Sequence, residues 1–346
     1  MRRLIPLIML VSVLALSPTG AQADCPECAK RAAQFWNAVV ADMQSTTPAL
    51  ADFLARNEIT HGKTDNNGYY LTPDCGLTPG QLEETLDIAR ADKVHMTIFL
   101  MGVMIDKWPD ESRALLKRAI DEGHELALHS YSHRNFRDIS SEEVVDEVVR
   151  NWALIDWALG YHYPVRFIRF PYGARNPGLL QQMGEMGIRS VFWDIDSMGW
   201  RDFATAPIVI TQVTSKMRPG AVVVLHCSAV SDRAAIPSYV DQLRQQGLEP
   251  ALLGPNYPRP TASDLIGYPR PRPTPKPETV ETAAATAPVT STAPLTGTVV
   301  APIATPTATA APYPTATPVP AAAAPARETP GERRLERLLD MDVNTL

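Results

Sequence analysis

Between residues 68 and 258 the chain alternates short apolar runs with longer amphipathic stretches. Tyr69, Tyr70 and Leu71 predict a strand, and residues 79–91 predict a helix. Further strands are predicted at 94–100, 125–128, 167–169, 190–193 and 221–225, with a last short one near Glu249. Helices are predicted between them at 111–122, 141–159, 177–186, 206–217 and 236–246. Gly123, Gly187, Gly220 and Gly247 stand where helices would end. Strand–helix repetition implies an α/β fold with a parallel sheet, and this many units favours a distorted (β/α) barrel over an open doubly wound sheet. No Gly-x-Gly-x-x-Gly follows the first strand, which weakens a dinucleotide-binding reading.

The flanks have other patterns. Residues 24–67 predict a helical N-terminal extension, with Phe35, Trp36, Val39, Val40, Met43, Leu50, Phe53 and Leu54 as packed apolar stripes. Residues 1–23 carry Arg2 and Arg3, an apolar run from Leu4 to Leu16 and an Ala21-Gln-Ala23 cleavage site, the signature of a signal peptide. The mature chain is therefore expected to be secreted or associated with the cell envelope, with no later stretch long and apolar enough to span a membrane. Eighteen of the 32 prolines lie between 255 and 330, interleaved with Thr and Ala. Residues 259–330 are accordingly expected to be a disordered spacer. Residues 331–346 form a short amphipathic segment, read either as a helix docking on a cell-surface partner or as a frayed tail.

Composition narrows the function classes. The formal net charge of −6 and the lack of a basic, aromatic-interleaved patch exclude a nucleic-acid partner. Cys25 and Cys28 read as a local disulfide, since no second Cys-x2-Cys pair completes a zinc site. Cys75 and Cys227 remain.

Candidate chemistry gathers after the predicted strands, where parallel barrels place their sites. In chain order these segments are Thr72-Pro-Asp74-Cys75-Gly76, His129-Ser-Tyr-Ser-His133, Arg169-Phe-Pro171-Tyr172-Gly173, Asp194-Ile-Asp196-Ser-Met-Gly199-Trp200 and Leu225-His226-Cys227. On one helical turn His129 and His133 would share a face and could grip one divalent cation.

In their order and wording these motifs resemble the polysaccharide deacetylases of carbohydrate esterase family 4. The closest matches are Gly123-His-Glu-Leu-Ala-Leu-His-Ser-Tyr-Ser-His133 and Arg169-Phe-Pro-Tyr-Gly173. The resemblance implies a distorted barrel, a divalent metal such as zinc that activates water, and an N-acetylated glycan as substrate. His129 and His133 would hold the metal, Asp74 would be the general base, and His226 the acid that protonates the leaving amine. Arg169 would orient Asp74, and the backbone N–H of Tyr172 would face the oxyanion. Trp200, Pro171, Val224 and Leu225 would wall the substrate pocket.

Two positions depart from the family pattern. Cys75 occupies the slot of a metal-binding carboxylate and has three readings: a thiolate ligand completing a Cys-His-His zinc site, a disulfide with Cys227, or an inert buried thiol. Gly199 stands where a carboxylate usually supports the catalytic histidine, so His226 is expected to have a lower pKa and a looser orientation unless Asp196 or Asp202 substitutes. A metal-dependent glycan N-deacetylase is the leading reading. A catalytically impaired carbohydrate-binding or scaffolding protein is the alternative.

Overall fold

The computed structural model describes residues 26–63 and 66–265. The signal peptide, Cys25, the spacer from 266 onward and the segment 331–346 lie outside the described residues. Among the described residues no helix is long and apolar enough to cross a membrane.

The N-terminal extension is two helices, α1 (Pro26–Gln44) and α2 (Pro48–Arg56). They break where Thr47 caps α2 by accepting the Leu50 N–H at 3.3 Å and Pro48 takes the first helical turn. Proline there loses no intrahelical hydrogen bond but cannot continue a preceding helix.

The domain proper runs β1 (Gly68–Cys75), α3 (Pro79–Ala91), β2 (Thr97–Leu100), α4 (Gly102–Lys107), α5 (Pro109–Asp121), β3 (Glu125–Leu128), α6 (Ser141–Leu159) and β4 (Phe167–Ile168). It continues with α7 (Pro177–Glu185), β5 (Arg189–Ser190), β6 (Ile195–Asp196), α8 (Ala206–Thr214), β7 (Val222–His226), α9 (Val230–Gln245), β8 (Glu249–Ala251) and α10 (Leu253–Asn256). All strand pairs are parallel, in the order β5-β4-β3-β2-β1-β7-β6, with β8 beside the start of β1. The barrel predicted from alternation is thus a half-barrel: no ladder joins β5 to β6 among the described residues, and Ile59 instead bridges Val191 beyond the end of β5.

Period-two alternation along the strands sorts the core into two layers. Leu71, Ile98, Leu100, Leu126, Leu128, Ile168, Val223 and Leu225 pack outward against the helices. Tyr70, Phe99, Ala127, Phe167 and Val222 pack in the barrel interior with Ile59, Val191 and Leu253. One step further along each strand, the same alternation delivers Asp74, His129, Arg169 and His226 to the interior. It delivers Cys75 and Cys227 to the helix-facing layer.

The helical layer is held by specific polar ties. Ser140 and Glu143 form a reciprocal capping box at the start of α6, and Gly160 ends that helix in the left-handed conformation at φ 83°. Arg31 on α1 reaches the buried Asp106 of α4 at 3.1 Å, fastening the extension to the barrel. His124, just before β3, accepts the Met96 N–H on its Nδ1 at 3.1 Å. Burial lowers its pKa to about 4, and its neighbour His95 adds to the effect.

An imidazole that must stay neutral in the fold contributes stability above its unfolded pKa of 6.5, and that contribution is lost as pH falls toward about 4. Thermal melts of the wild type are expected to show destabilisation of up to about 3 kcal/mol across that window. His124→Asn, which keeps an acceptor near the Nδ1 position without titrating, is expected to flatten this pH dependence. An unchanged dependence in that variant would remove His124 as its source.

Candidate active site

The site is built around a buried ion pair. Arg169, just beyond β4, is fully buried and donates to Asp74 Oδ1 at 2.7 Å. Its two terminal nitrogens also donate to Thr72 O at 2.8 Å, Thr72 Oγ1 at 2.7 Å and Phe192 O at 3.4 Å, while Nε is buried without a hydrogen-bond partner, and the guanidinium lies over the Phe99 ring at 4.2 Å. Burial raises the Asp74 pKa, but Arg169, His129 and His226 together outweigh it and hold the carboxyl below its ordinary value. Asp74 is therefore an anion at neutral pH, aimed by a single charge-assisted hydrogen bond.

His129 and His133 come together, though not on a helical turn as spacing suggested. They flank an irregular loop in which Ser130 and His133 both have positive φ, 67° and 64°. Ser130 Oγ accepts the His133 N–H at 2.9 Å, Glu147 accepts the Ser132 N–H at 2.8 Å, and the Gly102 and Val103 N–H groups bind the Ser130 and Tyr131 carbonyls. The Tyr131 hydroxyl donates to Asp106 Oδ2 at 2.9 Å. These bonds support the strained turn and bring the two imidazole centroids to 4.9 Å.

The His129 Nδ1–H donates to the Arg169 carbonyl at 2.9 Å, which leaves Nε2 as the lone-pair nitrogen, 3.6 Å from Asp74 Oδ2. Burial lowers the pKa of both imidazoles, that of His133 to about 4. Two neutral imidazoles, one oriented through its far nitrogen by a backbone carbonyl, suit two coordination positions of a divalent cation such as zinc.

Cys75 does not supply a third position, which corrects the thiolate-ligand reading. Its sulfur is bonded to that of Cys227, with a Cα–Cα distance of 4.9 Å, in the helix-facing layer. Among the described residues no group of three or more His, Cys, Asp or Glu could hold a metal ion.

His226 ends β7 directly opposite Asp74 in the β1–β7 register. Burial works to lower its pKa, yet Asp232 and Asp74 reverse that and raise it. The expectation of a lowered pKa for want of a partner is therefore overturned. Neither Asp196 nor Asp202 supplies the partner: Asp196 Oδ1 accepts the Met198 N–H at 2.8 Å, and Asp202 is exposed. Asp232, on the first turn of α9, lies 3.6 Å from His226 Nδ1 through Oδ2, an ion-pair separation longer than a hydrogen bond, and the same Oδ2 accepts the His226 N–H at 2.8 Å. A carboxylate six residues after the histidine, in a helix's first turn, was the available sequence signal.

Tyr172, expected to turn its backbone N–H to the oxyanion, sits in a short turn with φ 59°, 71 % exposed, its ring 4.6 Å from that of His133. The expected wall divides. Trp200 is 52 % exposed and reaches Asp196 Oδ2 at 3.5 Å. Pro171 and Val224 are buried near the rim. Leu225 is a correction: it packs in the helix-facing layer, as the immediate neighbour of an inward-facing histidine must.

The family model described as polysaccharide deacetylase matches residues 61–191. A chitooligosaccharide deacetylase of Bradyrhizobium is 32% identical over 157 residues, covering 45% of this chain and 69% of that protein. The chain belongs to the polysaccharide deacetylase family. A peptidoglycan-N-acetylglucosamine deacetylase of Bacillus cereus is 31% identical over 190 residues, covering 52% of this chain and 67% of that protein. The peptidoglycan-N-acetylglucosamine deacetylase PgdA of Listeria monocytogenes is 28% identical over 56% of this chain, which spans only 39% of that protein. Among solved structures, Bacillus subtilis PdaA, a family 4 carbohydrate esterase, matches with a TM-score of 0.53 at 22% identity, over 59% of this chain and 87% of that one. A CE4 family pseudoenzyme from Bacillus anthracis matches at 0.52 and 24%, over 58% and 68%. These two likenesses show the deacetylase fold.

The Asp74–Arg169 pair yields a stability test. Arg169→Ala leaves a buried carboxylate without its partner and is expected to cost about 3–5 kcal/mol in urea unfolding. The double variant Asp74→Asn/Arg169→Met is expected to recover part of that loss. Additive losses would show that the two side chains do not stabilise each other.

Proposed function

We propose that the chain is an exported hydrolase that removes N-acetyl groups from a cell-wall or chitin-like glycan. The carrying observation is the pairing of Asp74 with His226 across β1 and β7, one held as an anion by Arg169 and the other biased toward its cation by carboxylates. Amide hydrolysis requires a group that takes a proton from water and another that gives one to the leaving amine. Asp74 has the charge state and orientation for the first task. His226, its pKa raised by the carboxylates that face it, suits the second.

His129 and His133 would hold a divalent metal, zinc by donor type, whose Lewis acidity lowers the pKa of water from about 15.7 toward about 7. Tyr172 and Trp200, exposed at the mouth, offer aromatic surface to a sugar ring. Family membership supports the glycan class, and relatives named for chitooligosaccharide and peptidoglycan N-acetylglucosamine support the N-acetyl group. A second reading, a carbohydrate-binding protein with impaired catalysis, is favoured by one observation: the Cys75–Cys227 bond leaves the metal two imidazoles rather than three protein ligands.

The deciding measurement is bound metal per chain by elemental analysis, together with acetate release from N-acetylglucosamine oligomers and from peptidoglycan. The wild type is expected to bind metal and release acetate, His129→Ala to lose the metal, and Asp74→Asn to lose at least ~100-fold in rate. Metal and acetate release appearing only in Cys75→Asp/Cys227→Ser would establish the binding-protein reading instead.

A further inference from the structure

Asp232 and Gly199 are complementary in space. A Cβ built on Gly199 would stand 2.0 Å from Asp232 Oδ1 and 2.3 Å from its carboxyl carbon, closer than any side chain tolerates. Gly199 is not among the positive-φ glycines, so its backbone does not call for glycine; the volume beside it does. The Asp232 carboxylate fills that volume and is fully buried. Ser231 Oγ donates to the Gly199 carbonyl at 2.8 Å, tying the first turn of α9 to the 199 segment. Asp232 Oδ1 and His226 Nδ1 are both buried polar atoms with no hydrogen-bond partner. Such atoms are costly unless they serve one another or a ligand.

We propose that Asp232, entering from the first turn of α9 into the space left open at Gly199, is the positioning residue that orients His226 for proton transfer to the leaving group. The role of His226 rests on the deacetylase reading; the pairing with Asp232 does not. Oδ2 is anchored by the His226 N–H, so the carboxylate stays on the Nδ1 side of the ring and directs Nε2 toward the substrate side. It also favours the imidazolium. The other charged groups acting on His226 or on its partner are Asp74 and Asp196, the imidazoles of His129 and His133, and Arg233 beside Asp232.

The test uses the full chain in three forms: wild type, Asp232→Asn, and Gly199→Asp/Asp232→Ala, which returns a carboxylate to the other side of the same space. The His226 imidazole is titrated by NMR, and kcat and KM are measured on N-acetylglucosamine oligomers. Asp232→Asn is expected to lower the His226 pKa and to reduce kcat roughly 10- to 100-fold, with KM changed less than ~3-fold. The double variant is expected to return the titration toward the wild-type position and to recover kcat. An Asp232→Asn protein with wild-type Tm, titration and kcat would overturn the proposal, as would a folded double variant whose His226 titrates as in Asp232→Asn. If Asp232→Asn does not fold, the double variant against wild type decides. Absence of acetate release from wild type would defeat the deacetylase reading, while the titrations would still uphold or overturn the pairing.

Discussion

The register between β1 and β7 is the constraint on which the site depends. It sets Asp74 opposite His226, with both side chains directed into the barrel. Because successive strand residues face opposite sides, the same register places Cys75 and Cys227 next to each other on the helix-facing side, where they are bonded. A slip of one residue in β1 or β7 would turn that strand's Asp74 or His226 outward and part the two. The disulfide closes a loop of 152 residues, so the register that pairs Asp74 with His226 is fixed covalently as well as by the ladder. That fixation engages the sulfur that the sequence offered as a third ligand of a metal.

Within this frame, three imidazoles in one barrel mouth are driven to different states by their surroundings. His129 is buried and His133 half-buried, and desolvation outweighs the pull of Asp74 and holds both neutral, with lone pairs to offer. His226 is half-buried, and the carboxylates that face it favour its proton. Asp74 favours the proton on each of them, but at His129, 3.6 Å away, burial outweighs it, whereas at His226, its partner in register, its charge adds to that of Asp232; Arg169 secures the Asp74 charge. The other hydrogen bonds of the Arg169 terminal nitrogens, to Thr72 and the Phe192 carbonyl, hold the guanidinium in place. Thr72 thus belongs to the site's support although it carries no chemistry.

Alternation of apolar runs with amphipathic stretches was enough to read the parallel α/β architecture, because both signals are local and periodic. It was not enough for α4, a six-residue helix between strand and proline, or for β6, whose two residues carry no period. The last long helix was predicted to start at 236, yet α9 begins at Val230 and runs through Pro237. The residues carrying chemistry were legible because parallel sheets place them after strands. The manner of their meeting was not: His129 and His133 converge through a turn with two positive-φ residues, which an i, i+4 spacing does not reveal. Leu225 could have been assigned to the outer layer from the sequence, since it adjoins an inward His226. For Asp232 the spacing after His226 was the only signal, and it does not decide, because what singles the residue out is the volume beside Gly199, 33 positions away in the chain and defined only once α9 is packed.

The two departures from the family pattern are physically unequal. Supporting a histidine takes a negative charge within a few ångströms of one ring nitrogen, and such a charge can arrive from any element that borders the ring. Removing the side chain at 199 opens the route by which Asp232 arrives, so the loss and the replacement are one change seen from two sides. Ligating a metal is stricter: it takes a lone pair at about 2 Å in a fixed direction. Cys75, turned to the helix-facing layer and bonded to Cys227, meets neither requirement. In the proposed reading, the support of His226 is therefore the better-preserved half of the chemistry, and the metal half would rest on His129 and His133 alone.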